Sequence, residues 1–293
     1  MHKAKYRSAT TSDAHVSDVA IKSCNVIDVA ANHRLLVEAR LMLLMKHPTI
    51  VSLVGIHLFK ARRPWMVTSF MVNGDLKMYL RGLRQSQLNS NTGGAKFTDK
   101  DAIEVATKLA GALAYLNRIG VIHGDIAARN VLVDSPATNV VLSDFGNAIP
   151  ARLATQGNLG DRYSAAGPAV PFRWMAPEAL LESILSHETD VWSFGVLLWE
   201  IDSYGKTPYG MLGYDDVKQE LLNGRHLPKP TSGFRGLHAI ATQCWCSRAS
   251  ERVKAHDLHQ QLTVLLTSLE NENDPDYDHI ADHDYEQIAD DTS

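Results

Sequence analysis

The sequence predicts an α+β fold in two unequal lobes, a small strand-rich one followed by a larger, mainly helical one. Two observations carry this. The first 71 residues alternate short β-branched or aromatic runs with a single helical pattern, and from Asp75 onward helical periodicity takes over. With 293 residues, 45% of them hydrophobic, the chain is long enough to bury a substantial core.

In chain order, Asp18-Val19-Ala20-Ile21-Lys22 is a short apolar run closed by a lysine and predicts a strand. Val29 to Leu44 has helical spacing, with Leu36, Leu41 and Leu44 as core candidates. Ile50 to His57 and Trp65 to Met71 read as strands separated by a polar turn. The helical part follows as Leu76–Leu83, Asp101–Ile119, Asp190–Ser203, Tyr214–Asn223, Phe234–Cys246 and Ala255–Leu269. Asn89 to Ala95 is a polar, glycine-containing insertion, expected to be a loop. The expected division is 1–71, 72–269 and a tail, 270–293, whose low apolar content predicts disorder.

Bulk properties exclude several classes. Three cysteines, Cys24, Cys244 and Cys246, are too few and too unevenly spaced for a disulfide framework, and Cys244 and Cys246 have no second Cys/His pair to complete a zinc site. A reducing, intracellular setting is expected. No apolar run approaches the roughly 20 residues that span a bilayer. The net charge of −4 conceals an asymmetry: the segment from Glu270 carries ten acidic residues and no Lys or Arg, leaving +6 on the rest.

Four short segments carry chemistry, and their order matters more than any one of them. They are Val19-Ala20-Ile21-Lys22, then His123-Gly124-Asp125-Ile126-Ala127-Ala128-Arg129-Asn130, then Asp144-Phe145-Gly146, then Ala176-Pro177-Glu178. An isolated Asn or Asp is most often a turn residue; independent turns do not reproduce the whole series. The series resembles that of the protein kinases, V-A-I-K, H-R-D-L-x-x-x-N, D-F-G and A-P-E. Ala127-Ala128-Arg129 and Pro171-Phe172-Arg173-Trp174-Met175 resemble the tyrosine-specific branch, with local similarity to focal adhesion kinase and to the insulin-receptor type. The resemblance runs from about Val16 to Leu269.

The resemblance implies a bilobal kinase fold, ATP and Mg2+ as cofactors, and transfer of phosphate to protein tyrosine. Phosphoryl transfer asks the protein for positioning and charge neutralisation more than for covalent chemistry. On that reading Lys22 holds the ATP phosphates, Glu38 holds Lys22, Asp125 takes the substrate hydroxyl's proton, and Arg129 helps to place the substrate. Asn130 and Asp144 hold metal. Ala20 roofs and Leu132 floors the adenine site, with Thr68 as gatekeeper, Ser69, Phe70 and Met71 as hinge, and Met71 offering backbone hydrogen bonds. Asp190 braces the catalytic loop, and Arg252 bridges to Glu178. Tyr163 stands at the spacing of an activation-loop phosphorylation site.

The pattern breaks in two places. No G-x-G-x-x-G precedes Val19, and His2 to Ser8 resembles the strand that follows such a loop, so a chain starting within or after it is expected, with weakened ATP binding and an exposed strand edge. Gly124 replaces an arginine that in many kinases meets a phosphorylated activation loop, a charge-assisted contact glycine cannot make. In the tail, Tyr277-Asp278-His279-Ile280 and Tyr285-Glu286-Gln287-Ile288 resemble docking sites for phosphotyrosine-reading adaptor domains. The expected partners are tyrosine-bearing protein substrates and such adaptors, not nucleic acid. The expected location is cytoplasmic, with membrane attachment only if a spanning segment lies upstream in a receptor-type parent. The competing reading is a pseudokinase or phosphotyrosine scaffold, or an inactive fragment; joint retention of Lys22, Asp125, Asn130 and Asp144 favours the enzyme.

Overall fold

The protein is described here from a computed structural model covering residues 2–7, 16–24, 28–58, 64–88, 97–154, 171–231 and 233–272. Four strands form one antiparallel sheet: β1 (His2–Arg7), β2 (Val16–Ser23), β3 (Leu53–Leu58) and β4 (Pro64–Ser69), in the order β1-β2-β4-β3. Register places Lys3, Ala20 and Thr68 in one row across three strands, hence on one face. The β1 edge carries Lys3 and Lys5, charges of the kind that discourage edge-to-edge pairing.

Helix α1 (Val29–Met42) packs against the sheet. Its first turn is closed by Asp28, whose side chain accepts the Ala31 N–H at 2.8 Å. The inward face is Leu35, Glu38, Ala39 and Met42. The expected core residues Leu36 and Leu44 are exposed, at 37% and 74%, while Leu41 packs partly against the core. Apolar residues occupy both sides of this helix, so its period does not say which side faces inward; the buried Glu38 identifies it.

Beyond Met71 the chain is helical: α2 (Leu76–Leu88), α3 (Asp99–Arg118), α4 (Pro177–Glu182), α5 (His187–Asp202), α6 (Tyr214–Leu222), α7 (Leu237–Gln243) and α8 (Ala255–Asn271). Capping boxes start α3 (Thr98 with Asp101) and α5 (Ser186 with Thr189), and Pro177 opens α4 where its missing N–H costs nothing. Helix α5 is the buried axis, with Trp192, Phe194, Leu197 and Leu198 almost wholly enclosed. Gly195 is needed for packing there, since a Cβ would lie 2.5 Å from that of Cys244. Helices α3 and α8 run antiparallel, Lys100 meeting Glu270 at one end and Gly111 lying against His259 toward the other.

Four two- or three-residue strands, β5 (Val121–Ile122), β6 (Val131–Val133), β7 (Val140–Leu142) and β8 (Ile149–Pro150), pair as β5 with β8 and β6 with β7. The segment after Met71 is tied to β6: Asn73 N–H donates to Val133 O at 3.0 Å and Val133 N–H to Gly74 O at 2.9 Å. A further link joins Val51 N–H to Leu142 O at 2.9 Å. These short ladders fix the loops after β5 and β7 opposite the four-stranded sheet. Tyr163, Tyr277, Tyr285 and the insertion 89–95 lie outside the described residues. Among the described residues no helix is long and apolar enough to cross a membrane, and Cys24, Cys244 and Cys246 are free thiols.

Candidate active site

Lys22, at the end of β2, reaches both Glu38 carboxylate oxygens at 2.9 Å and Asp144 Oδ1 at 2.7 Å. Lys22 and Glu38 stand sixteen positions apart, one on β2 and the other on α1; only α1 lying against the sheet brings them together. Burial works against the Lys22 charge, but the Asp144 and Glu38 carboxylates outweigh it and raise its pKa, so the ammonium is kept protonated. At Asp144, burial pushes the carboxyl up and Lys22 more than reverses it, holding the group below the usual carboxylate range. Asp144 sits at φ 59°, in the left-handed region, where a non-glycine residue is strained and is held by its surroundings.

Asp125 is the centre of the second cluster. Its Oδ1 accepts from Arg129 Nη2, and its Oδ2 accepts from Asn130 Nδ2 at 2.8 Å. Asn130 Nδ2 also donates to the Asp125 carbonyl at 2.7 Å, which sets the amide oxygen as the end left for other ligands. Behind it, the Asn130 carbonyl accepts the Ser143 N–H and hydroxyl, both at 2.8 Å. His123 is wholly buried and spans the two loops: its Nδ1 accepts the Asp125 N–H at 3.2 Å, so Nε2 carries the proton and donates to Ser143 O at 3.1 Å. Burial lowers its pKa, consistent with a neutral ring.

Two buried carboxylates on α5 hold this loop from below. Asp190 accepts the His123 N–H at 2.6 Å and the Gly124 N–H at 2.9 Å, the bracing role expected of it. Gly124 has φ +74°, a conformation glycine adopts without strain, and an added Cβ would meet Asn147 O at 3.2 Å. Glu200, not singled out from sequence, accepts the Ala128 N–H at 2.8 Å and the Trp174 indole N–H at 2.9 Å. Trp174 in turn lies under the Arg129 guanidinium, 4.2 Å from ring centroid to Cζ. A charged residue following the apolar run Val196-Leu197-Leu198-Trp199 was the available signal.

Burial raises the Asp190 carboxyl to about 7 from 3.8. The folded protein therefore holds a proton there that the unfolded chain releases, so this residue's contribution to stability is full below about pH 4 and is lost as pH rises to about 7. Replacing Asp190 by Asn removes the titration. Denaturant unfolding should show the wild-type advantage over Asp190→Asn larger at about pH 5 than at about pH 7.5; a gap that is flat or widens with pH contradicts the assignment.

Lys22, Glu38, Thr68, Arg129, Asn130, Leu132 and Asp144 line a common cavity of about 150 Å³ between the sheet and the loops. Thr68 is buried at the row shared with Ala20. Ala20, Ser69 and Met71 fall outside the lining of this cavity, as does Asp125. Met42, Val51, Met66 and Ser143, not expected from sequence, complete the inner wall.

A two-lobed fold with a lysine–glutamate pair on one side of a cleft, and an Asp–Arg–Asn cluster with a second aspartate on the other, defines the protein kinase class. Comparison with known proteins agrees. A family model described as protein tyrosine and serine/threonine kinase matches residues 1–262, and the chain belongs to that family. It is 34% identical over 234 residues to ephrin type-A receptor 8 of Rattus norvegicus, covering 80% of this chain and 59% of that relative. It is also 34% identical over 255 residues to tyrosine-protein kinase abl-1 of Caenorhabditis elegans (87% and 19%), and over 251 residues to tyrosine-protein kinase Abl of Drosophila melanogaster (85% and 14%). The chain thus spans less than two thirds of the length of each of these relatives.

Proposed function

We propose that this chain transfers the γ-phosphoryl group of ATP to the phenolic hydroxyl of tyrosine in protein substrates. The observation that carries the reading is the Asp125 carboxylate, held by Arg129 and Asn130 beside the Lys22–Glu38–Asp144 cluster. The donor set suits magnesium: one carboxylate and one amide oxygen are hard ligands, and Mg2+ is commonly held by one or two carboxylates together with substrate phosphates. Asn130 and Asp144 would hold that metal, which supplies neutralisation of the phosphate charge. Lys22, fixed by Glu38, offers its ammonium to phosphate oxygens. Asp125 orients the substrate hydroxyl and receives its proton. Arg129, stacked on Trp174, stiffens the floor on which the substrate rests.

The tyrosine assignment rests on Ala127-Ala128-Arg129, on the Phe172–Trp174 turn that meets Arg129, and on relatives named as tyrosine kinases. The roles of Ala20, Thr68, Ser69, Met71 and Leu132 around adenine, the division at 71/72 with a tail from 270, adaptor docking at Tyr277 and Tyr285, and a cytoplasmic location belong to the same reading. Matched peptides differing only in Tyr, Ser or Thr test it. Tyrosine should be preferred by at least about tenfold, as differential transition-state contacts of roughly 1.4 kcal/mol suffice for that ratio. Equal serine turnover overturns the tyrosine specificity, and turnover no higher than that of Lys22→Met overturns the phosphotransfer.

A further inference from the structure

A larger cavity, about 720 Å³, lies on the helical lobe away from the catalytic cleft, where the end of α3 and the start of α8 meet the His47–Thr49 turn. Its titratable lining is of one kind: His47, Lys108, Arg118, Lys254, His256 and His259, besides the phenol of Tyr115. Two of the cations already have carboxylate partners, Lys108 with Glu104 at 2.6 Å and Lys254 with Glu188 at 3.2 Å. Arg118 has no carboxylate partner among the described residues and lies against the Tyr115 ring, 5.4 Å from its centroid. His47, His259 and Arg118 line the same cavity. Such a concave, carboxylate-free lining favours an anionic occupant.

The sequence supplies one. Residues 273–293 hold eight carboxylates and no Lys or Arg. The Lys100–Glu270 bridge at 3.1 Å and the Arg235–Glu272 bridge at 2.5 Å fix where this segment leaves the body, at the start of α3. From Lys100 to Arg118 along α3 is about 27 Å at 1.5 Å per residue, a distance that about eight extended residues cover. The segment from 282 onward, with Asp282, Asp284, Glu286, Asp290 and Asp291, has the length to return to the groove.

We propose that the basic groove between α3 and α8 is an intramolecular docking site for the acidic tail segment 282–291 of this chain. Docking there holds Tyr285 against the protein body, so that an adaptor or a kinase site must displace the tail to reach it.

Carbodiimide coupling of the full chain, which joins carboxylates to lysine amines in direct contact, tests this. At about 0.05 M salt, tail carboxylates 282–291 should couple within one molecule to Lys108 and Lys254 in preference to Lys77, Lys206 and Lys229. Coupling should fall by about fivefold at about 1 M salt, where screening extends to about 3 Å, and by a similar factor in Arg118→Glu. Because Arg118→Glu also alters the body, a second variant changes only the tail: Asp282→Asn, Asp284→Asn, Glu286→Gln. It should lose hydrogen-exchange protection at the end of α3 and the first turn of α8. Coupling spread over all exposed lysines, products found only between two molecules, or exchange unchanged by the tail variant overturns the proposal.

Discussion

Asp125→Asn should lower kcat for peptide phosphorylation by roughly 10²–10⁴-fold, the range over which a positioned general base contributes. The structure adds a geometric reason to the chemical one. Asp125 uses one oxygen to accept from Arg129 and the other to accept from Asn130, and both partners are donors only at those atoms. An amide replaces one acceptor with a donor, so whichever way it turns, one of the two contacts becomes a donor–donor clash. The effect should fall on kcat more than on the KM for ATP, because Asp125 lies outside the cavity lined by Lys22, Asn130 and Asp144. Lys22→Met serves as the contrast: it removes the ammonium at 2.7 Å from Asp144 and 2.9 Å from Glu38, and should raise the KM for ATP as well. Steady-state kinetics of both, with melting curves to establish folding, separate the roles. A kcat for Asp125→Asn within threefold of wild type would show that another group takes the proton.

The site was legible where its chemistry is carried by residue types in fixed local spacing. Asp125, Arg129 and Asn130 lie within six residues, so one turn suffices to bring them into contact, and the sequence shows all three. Lys22 and Glu38 were legible as a pair only through resemblance, since nothing in their spacing shows that α1 packs against the sheet that carries Lys22. What escaped was contact over long separation made by residues with no motif. Glu200 meets Ala128 across 72 residues, and Ser143 meets Asn130 and His123 across 13 and 20. The inward face of α1 escaped for a different reason: with Leu36, Val37, Leu43 and Leu44 exposed, apolar residues are as frequent outside as inside. The burial of Glu38 there is set by its partner Lys22, and a partner on another element is invisible to a periodicity argument. The region around 124 shows the converse. Glycine stands at 124 where the resembling pattern has arginine, and the fold adds that its φ of +74° suits glycine and its N–H is held by Asp190.

Arg252→Met should be among the most destabilising substitutions in the helical lobe, costing about 3 kcal/mol, because it removes a fully buried cation and leaves the half-buried Glu178 carboxylate and two backbone carbonyls without their donor. The expected pairing with Glu178 is present, at 2.8 and 3.3 Å, and the guanidinium does more than bridge one acid. It also donates to the Cys246 carbonyl at 3.1 and 3.0 Å and to the Glu188 carbonyl at 2.6 Å, while lying over the Trp192 ring at 5.1 Å. Its side chain has no solvent exposure and that of Glu178 only 15%, so water replaces the lost donors incompletely. A drop of that size should lower Tm by on the order of 10 °C for a chain of this length. Arg252→Lys should recover little, since a single ammonium cannot serve acceptors on three different segments. The double variant Arg252→Met with Glu178→Gln should be more stable than Arg252→Met alone, because it removes the uncompensated charge. Glu178 opens α4, directly after the turn that holds Trp174, so the loss should also reach the active site: Arg252→Met is expected to reduce phosphotransfer at temperatures well below its own melting point. Parallel melting and activity curves check both parts, and a single variant that melts within 2 °C of wild type would show that the buried pair contributes nothing net.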